Sequence, residues 1–145
     1  MIKKLGIFSL ILAGLFVFNY EGQAQCKTFT KKKCIGELSD YNSNGQYNGA
    51  VMFEGEEATL MQTFYSGQKY RLFICAQPSI EGLFFEVKDY RNTLLYTSEG
   101  TGSNMFDFDV ESTQQLKIRI VVPDGGSGSQ IKKNGCVSVL VGFKE

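Results

Sequence analysis

Short apolar runs that alternate with polar residues constrain this chain more than any other feature. From residue 50 onward, eight such runs follow one another at 50–53, 58–65, 70–76, 83–88, 93–97, 105–110, 115–122 and 136–143. Each is four to eight residues long, and no helical period separates them. Successive side chains on a strand point to opposite faces, so the alternation shows which face is buried. Phe106, Phe108 and Val110 share one face, and Asp107, Asp109 and Glu111 the other. Leu116, Ile118 and Ile120 oppose Lys117 and Arg119 in the same way. In the run 70–76, Tyr70, Leu72 and Ile74 point inward and Arg71, Phe73 and Cys75 outward. In the last run Val137, Val139, Val141 and Phe143 point inward, leaving Cys136, Ser138, Leu140 and Gly142 outward. Ser66-Gly67-Gln68 and residues 89–92 read as hairpin turns, and the glycine-rich stretch 124–129 as a mobile loop. The expected fold is all-β: an antiparallel β-sandwich of about eight strands, jelly-roll-like.

The N-terminus has a different character. Lys3 and Lys4 precede an uncharged apolar run at 5–18, and Gly22-Gln23-Ala24 places small residues where a signal peptidase cleaves. Residues 1–24 are therefore expected to be a signal peptide, the apolar run being shorter than the roughly 20 residues of a membrane span. A lipid-modified Cys26 is disfavoured by Gln25 before it. Removing 24 of the 145 residues leaves 121, one domain of ordinary size. Lys3, Lys4 and Glu21 leave with the leader, so the mature chain has thirteen basic and fourteen acidic side chains. That balance argues against a nucleic-acid partner. Residues 25–49 are polar and rich in Lys, Asn and Gly, and are expected to form an irregular arm with a short helical turn between Cys26 and Cys34. Lys31, Lys32 and Lys33 within it read as a solvated stretch. The β-sandwich domain proper is placed at 50–145.

Four cysteines, Cys26, Cys34, Cys75 and Cys136, survive cleavage. An even count in an exported chain implies two disulfides, and the absence of histidine and of closely paired ligands argues against zinc. Cys75 ends one outward-facing register and Cys136 opens another. Antiparallel pairing of those strands would join them and set Leu72 opposite Val139 and Ile74 opposite Val137. The expected pairs are thus Cys75–Cys136 and, by default, Cys26–Cys34.

Composition excludes much chemistry. Without histidine there is no Ser-His-Asp or Cys-His relay, and oxidised cysteines offer no thiol nucleophile. Acidic side chains remain. Asp107, Asp109 and Glu111 are candidates for a calcium site or, for the two aspartates, a glycosidase acid pair. Ion pairing explains them better: if residues 112–114 close a hairpin, Asp109 faces Lys117 and Asp107 faces Arg119. Glu54-Gly55-Glu56-Glu57 offers further oxygens without a calcium-loop pattern. Among aromatics, Phe73 and Phe84 take the outward phase, while Tyr65, Tyr90 and Tyr96 lie near turns. Phe73, Phe84 and Tyr96 are the candidate ligand-binding residues, for stacking on sugar rings or receiving a partner. Against this, Phe73 would cover a disulfide, or the arm a sheet face; the lack of tryptophan further weakens a sugar platform.

The run Ser66-Gly67-Gln68-Lys69-Tyr70-Arg71-Leu72, the hairpin at 83–96 and Leu116-Lys117-Ile118-Arg119-Ile120 together resemble the bacterial pre-peptidase C-terminal domain. The whole chain, most of all Gly135 to Phe143, resembles a set of short exported bacterial proteins of unassigned activity. The resemblance implies a jelly-roll accessory module, here with no enzyme attached. The expectation is an exported, periplasmic or extracellular, non-enzymatic binding module without cofactor. Its partner would be a protein or glycan, and no membrane span would remain after cleavage. A carbohydrate- or calcium-binding accessory domain is the alternative.

Overall fold

The computed structural model describes residues 21–126, 128 and 130–145. The expected signal peptide therefore lies almost wholly outside the described residues, as do Ser127 and Ser129 of the glycine-rich loop. Among the described residues nine strands follow a helical arm: β1 Asn42–Ser43, β2 Asn48–Phe53, β3 Glu57–Phe64, β4 Gln68–Ala76, β5 Phe84–Lys88, β6 Leu94–Thr97, β7 Met105–Val110, β8 Gln114–Val121 and β9 Asn134–Lys144. Eight of these match the eight apolar runs within two residues; β1 was not expected. The strands form two antiparallel sheets. Sheet A has β1 and β2 end to end along one edge of β9, then β4 and β7; sheet B runs β3-β8-β5-β6. With consecutive strands interleaved between sheets in this way, the sandwich is a jelly roll.

The inward residues expected from alternation make the core. Tyr70, Leu72 and Ile74 of β4 and Val137, Val139 and Val141 of β9 meet Phe85, Val87, Leu116, Ile118 and Ile120 of sheet B, all of them buried. Phe64, Tyr70 and Phe108 close one end in edge and stacked ring contacts.

Two expected hairpins are crossings between sheets instead. Ser66-Gly67-Gln68 links β3 of sheet B to β4 of sheet A, and residues 111–113 link β7 of sheet A to β8 of sheet B. Asp107 and Asp109 are therefore not opposite Arg119 and Lys117. They pair in register with Arg71 and Lys69 of β4. The expected turn at 89–92 does close a hairpin, joining β5 to β6.

Up to Leu38 the arm is helical, well beyond the short turn expected between Cys26 and Cys34, and only the stretch between it and β2, β1 apart, is irregular. An α-helix, α1 (Glu21–Phe29), continues into a π-helical stretch at Thr30–Cys34 and a 3-10 turn at Ile35–Leu38. Its buried positions are Cys26, Thr30, Cys34 and Leu38, each 2% exposed or less and four residues apart. Four residues overshoot one α-helical turn by about 40°. The wider π turn at Thr30–Cys34 rotates that stripe back onto the sheet. The stripe lies on the outer face of sheet A, against Phe73, Cys75 and Leu140. Close approach needs glycine: a Cβ on Gly49 would come within 2.7 Å of Ser138 Oγ, and one on Gly142 within 2.7 Å of Tyr41 Cβ.

The disulfide pairing also differs from expectation. The bonds are Cys26–Cys136 and Cys34–Cys75. Parity correctly turned Cys75 and Cys136 to the same face, but the register is shifted by two residues. Cys75 lies opposite Ser138, Leu72 opposite Val141 and Ile74 opposite Val139. Each outward cysteine instead meets a cysteine of the arm, so both bonds fasten the arm to sheet A.

Candidate functional site

The sequence candidates do not assemble into one site. Phe73 is only 4% exposed and sits beneath the arm, so it is no surface platform. Tyr96 stacks on Phe106 at 4.0 Å between ring centres and packs against the core. Phe84 is half-buried in the wall of a cleft of about 570 Å³, with Ile74, Ile80, Leu83 and Asn104. That cleft opens at the end of the sandwich where β4 stops and β5 begins.

The acidic cluster is likewise dispersed into ion pairs. Arg71 grips Asp107 with two hydrogen bonds, Nε to Oδ1 at 2.8 Å and Nη2 to Oδ2 at 2.6 Å. These bonds hold the Asp107 carboxyl below its ordinary pKa against an opposing desolvation effect. Asp109 is 3.9 Å from Lys69, and Glu111 is exposed. Of the second cluster, Glu54 is buried and accepts the backbone N–H of Lys133 at 3.1 Å. Glu56 accepts that of Phe53 at 2.9 Å, and Glu57 pairs with Arg119. Among the described residues, no group of three or more His, Cys, Asp or Glu side chains is arranged to hold a metal ion.

The opposite end of the sandwich is built differently. Register brings three connections together there, residues 65–67, 89–93 and 111–113, while residues 44–47 flank them along the edge of sheet A, beside Val141. They are rich in Tyr, Ser, Gly and Asn, the residue types that serve protein-binding loops. Tyr65 and Tyr90 stand 61% and 72% exposed at two of these loops. Neither loop is loose. Tyr65 N–H donates to the Tyr70 hydroxyl at 3.0 Å, which itself donates to Gln68 Oε1 at 2.8 Å. Ser66 N–H donates to Thr113 Oγ1 at 3.0 Å, tying two crossings together, and Gly67 N–H donates to the Val110 carbonyl at 2.9 Å. Gly67 has φ +80°, a conformation glycine adopts without strain. In the other loop Asp89 Oδ1 accepts from Arg91 N–H at 2.8 Å and Thr93 N–H at 2.9 Å. Arg91 Nε donates to the Tyr90 hydroxyl at 2.7 Å, and Lys117 Nζ to Asn92 Oδ1 at 2.7 Å. Beside Tyr65 a groove of about 710 Å³ is lined by Gln46, Tyr47, Asn48, Met61 and Gln62. Tyr65 and Tyr90 were visible in the sequence as tyrosines near turns. Their being flanked by Ser66-Gly67 and Arg91-Asn92 is the signal that singles them out.

No protein-family model matches the chain, and no curated protein matches it. Among solved structures the jelly roll is similar to PliG of Aeromonas hydrophila, a periplasmic lysozyme inhibitor of g-type lysozyme. The two are 9% identical, with 72% of this chain and 89% of that one covered and a TM-score of 0.50. PliG of Salmonella Typhimurium, with the same description, is 17% identical over 73% of this chain and 91% of that one, with a TM-score of 0.43. The Aeromonas likeness supports the sandwich fold. Neither neighbour is a pre-peptidase C-terminal domain.

Proposed function

We propose that this chain is an exported, non-enzymatic protein-binding module that engages its partner through the tyrosine-bearing loop end, as an inhibitor would. The observation that carries the reading is the pair of exposed tyrosines, Tyr65 and Tyr90, on loops whose backbone is already fixed by hydrogen bonds. Tyrosine offers a large amphipathic contact for few rotatable bonds, and a fixed loop loses little further entropy on binding. Export is supported by the leader-like N-terminus and by cysteines that are all oxidised. The chain contains no histidine, which removes the commonest catalytic base. The calcium alternative has less support, because Asp107 is already committed to Arg71. A sugar platform has less support too, because Phe73, Phe84 and Tyr96 do not share a face.

The likeness to a g-type lysozyme inhibitor supplies the first partner to test. Equimolar protein is expected to inhibit g-type lysozyme and to bind it in surface plasmon resonance. Tyr65→Ala and Tyr90→Ala should each weaken binding by about 30-fold, the size of a central aromatic contact. A failure of g-type lysozyme to bind would remove the inhibitor reading, and binding indifferent to both substitutions would remove the loop end as the contact.

A further inference from the structure

The arm turns an uneven charge distribution outward. Lys27, Lys31, Lys32 and Lys33 are all exposed, and none forms an ion pair with a described carboxylate. Elsewhere Lys69, Arg71, Lys88, Arg119, Lys133 and Lys144 each have a carboxylate partner, and Arg91, Lys117 and Lys132, which have none among the described residues, are scattered over separate segments of the sandwich. Between Gln25 and Leu38 the only acidic residue is Glu37. Two of the free ammonium groups converge on one ring: Lys27 Nζ lies 5.9 Å and Lys31 Nζ 5.4 Å from the centre of Tyr47. Two like charges are thus gathered in one place with no anion between them.

The same side of the molecule also exposes apolar surface. Val51 and Phe53 of β2 are 38% and 40% exposed and share the outward phase of Gly49, the face on which the arm lies. Val51 lies opposite Cys136, which is bonded to Cys26 of α1, so the apolar pair lies beside the helix. Both cystines lock the helix to the sandwich, so the surface is already organised before any partner arrives.

We propose that this arm-bearing face docks the protein on a membrane surface rich in anionic lipid. A headgroup layer presents a dense array of phosphates to the lysines and an apolar boundary to Val51 and Phe53 at once. A soluble polyanionic glycan would satisfy the lysines and leave the two apolar side chains in water.

The test uses oxidised protein recovered from the periplasm of an expression host, sedimented with phosphatidylcholine vesicles with and without phosphatidylglycerol. Roughly fivefold tighter binding per lysine is expected, or on the order of several hundredfold in total, for the anionic vesicles. The preference should fall as salt rises. Replacing Lys31, Lys32 and Lys33 together with Gln should remove on the order of a hundredfold of that preference. Val51→Ser with Phe53→Ser should weaken binding several-fold, and Lys88→Gln on sheet B should leave it unchanged. Equal binding to both vesicle types, no binding, or a triple variant that binds like the parent would overturn the proposal. Retention on heparin without vesicle binding would overturn it in favour of a glycan. Thermal midpoints of the variants verify that they are folded.

Discussion

The two outer faces of the sandwich begin from the same alternating pattern and end in opposite environments. On sheet A the outward residues of β9 are Cys136, Ser138, Leu140 and Gly142, and the arm covers them. Ser138 and Leu140 are fully buried, although they point away from the sandwich core. A buried hydrogen bond joins the hydroxyls of Thr30 and Ser138, so the polar group beneath the arm is satisfied. On sheet B the outward residues of β8 are Gln115, Lys117, Arg119 and Val121, and no layer of described residues covers them. Arg119 bridges Glu57 and Glu86 there, and Met61 is 45% exposed. The lesson is that the chemistry of the outward phase, more than the alternation itself, tells a covered sheet from an open one. In β9 the uncharged run from Cys136 to Phe143, long and central in its sheet, marks the face that the arm covers.

Substitutions can break this comparison, beginning with the strongest. Removing the Cys26–Cys136 bond with paired serines should cost about 5 kcal/mol, since it spans 110 residues. Removing Cys34–Cys75, which spans 41, should cost about 4 kcal/mol. Urea unfolding of the two variants reads both losses. Next come truncations of equal kind on the two faces. Leu140→Ala under the arm should cost about 3 kcal/mol, while Met61→Ala on the open face should stay within about 0.5 kcal/mol. Equal losses would mean that the arm does not seal sheet A.

Acid provides a smaller and graded effect. The Arg71 hydrogen bonds hold Asp107 below its ordinary pKa, and that of Lys144 does the same for Asp40. A carboxylate whose folded pKa is depressed adds stability that is fully present above its unfolded pKa, about 4, and is lost as pH falls through the lower folded value. Thermal midpoints should therefore drop below about pH 4, and Asp107→Asn should flatten part of that slope. Smallest is Arg119→Met on sheet B, expected to leave the urea midpoint nearly unchanged because the Glu57 side of its bridge is exposed and the Glu86 side only partly buried.

The strands and their inward faces were legible because period-two alternation is a local property. Connectivity was not. Three residues between Val110 and Gln114 suit a hairpin or a crossing to the other sheet equally well, and only the pairing of Arg71 with Asp107 decides. Register failed for a related reason: parity fixes a strand to within steps of two, and β9 begins at Asn134, ahead of Cys136. The arm's helix was expected only as a short turn because it is polar, with lysines filling the positions between buried ones. Its signal was Cys26, Thr30, Cys34 and Leu38 at a four-residue spacing, two of them cysteines. The loop end was half legible: Tyr65 and Tyr90 were near turns, but nothing local showed that three connections converge there.

The central claim is that the arm is a structural layer stapled across the outer face of sheet A. Mass spectrometry of proteolytic fragments from the unreduced protein tests it most directly. The account predicts cross-linked peptides joining Cys26 to Cys136 and Cys34 to Cys75. Peptides joining Cys75 to Cys136, with Cys26 bonded to Cys34, would free the arm from the sheet and contradict it.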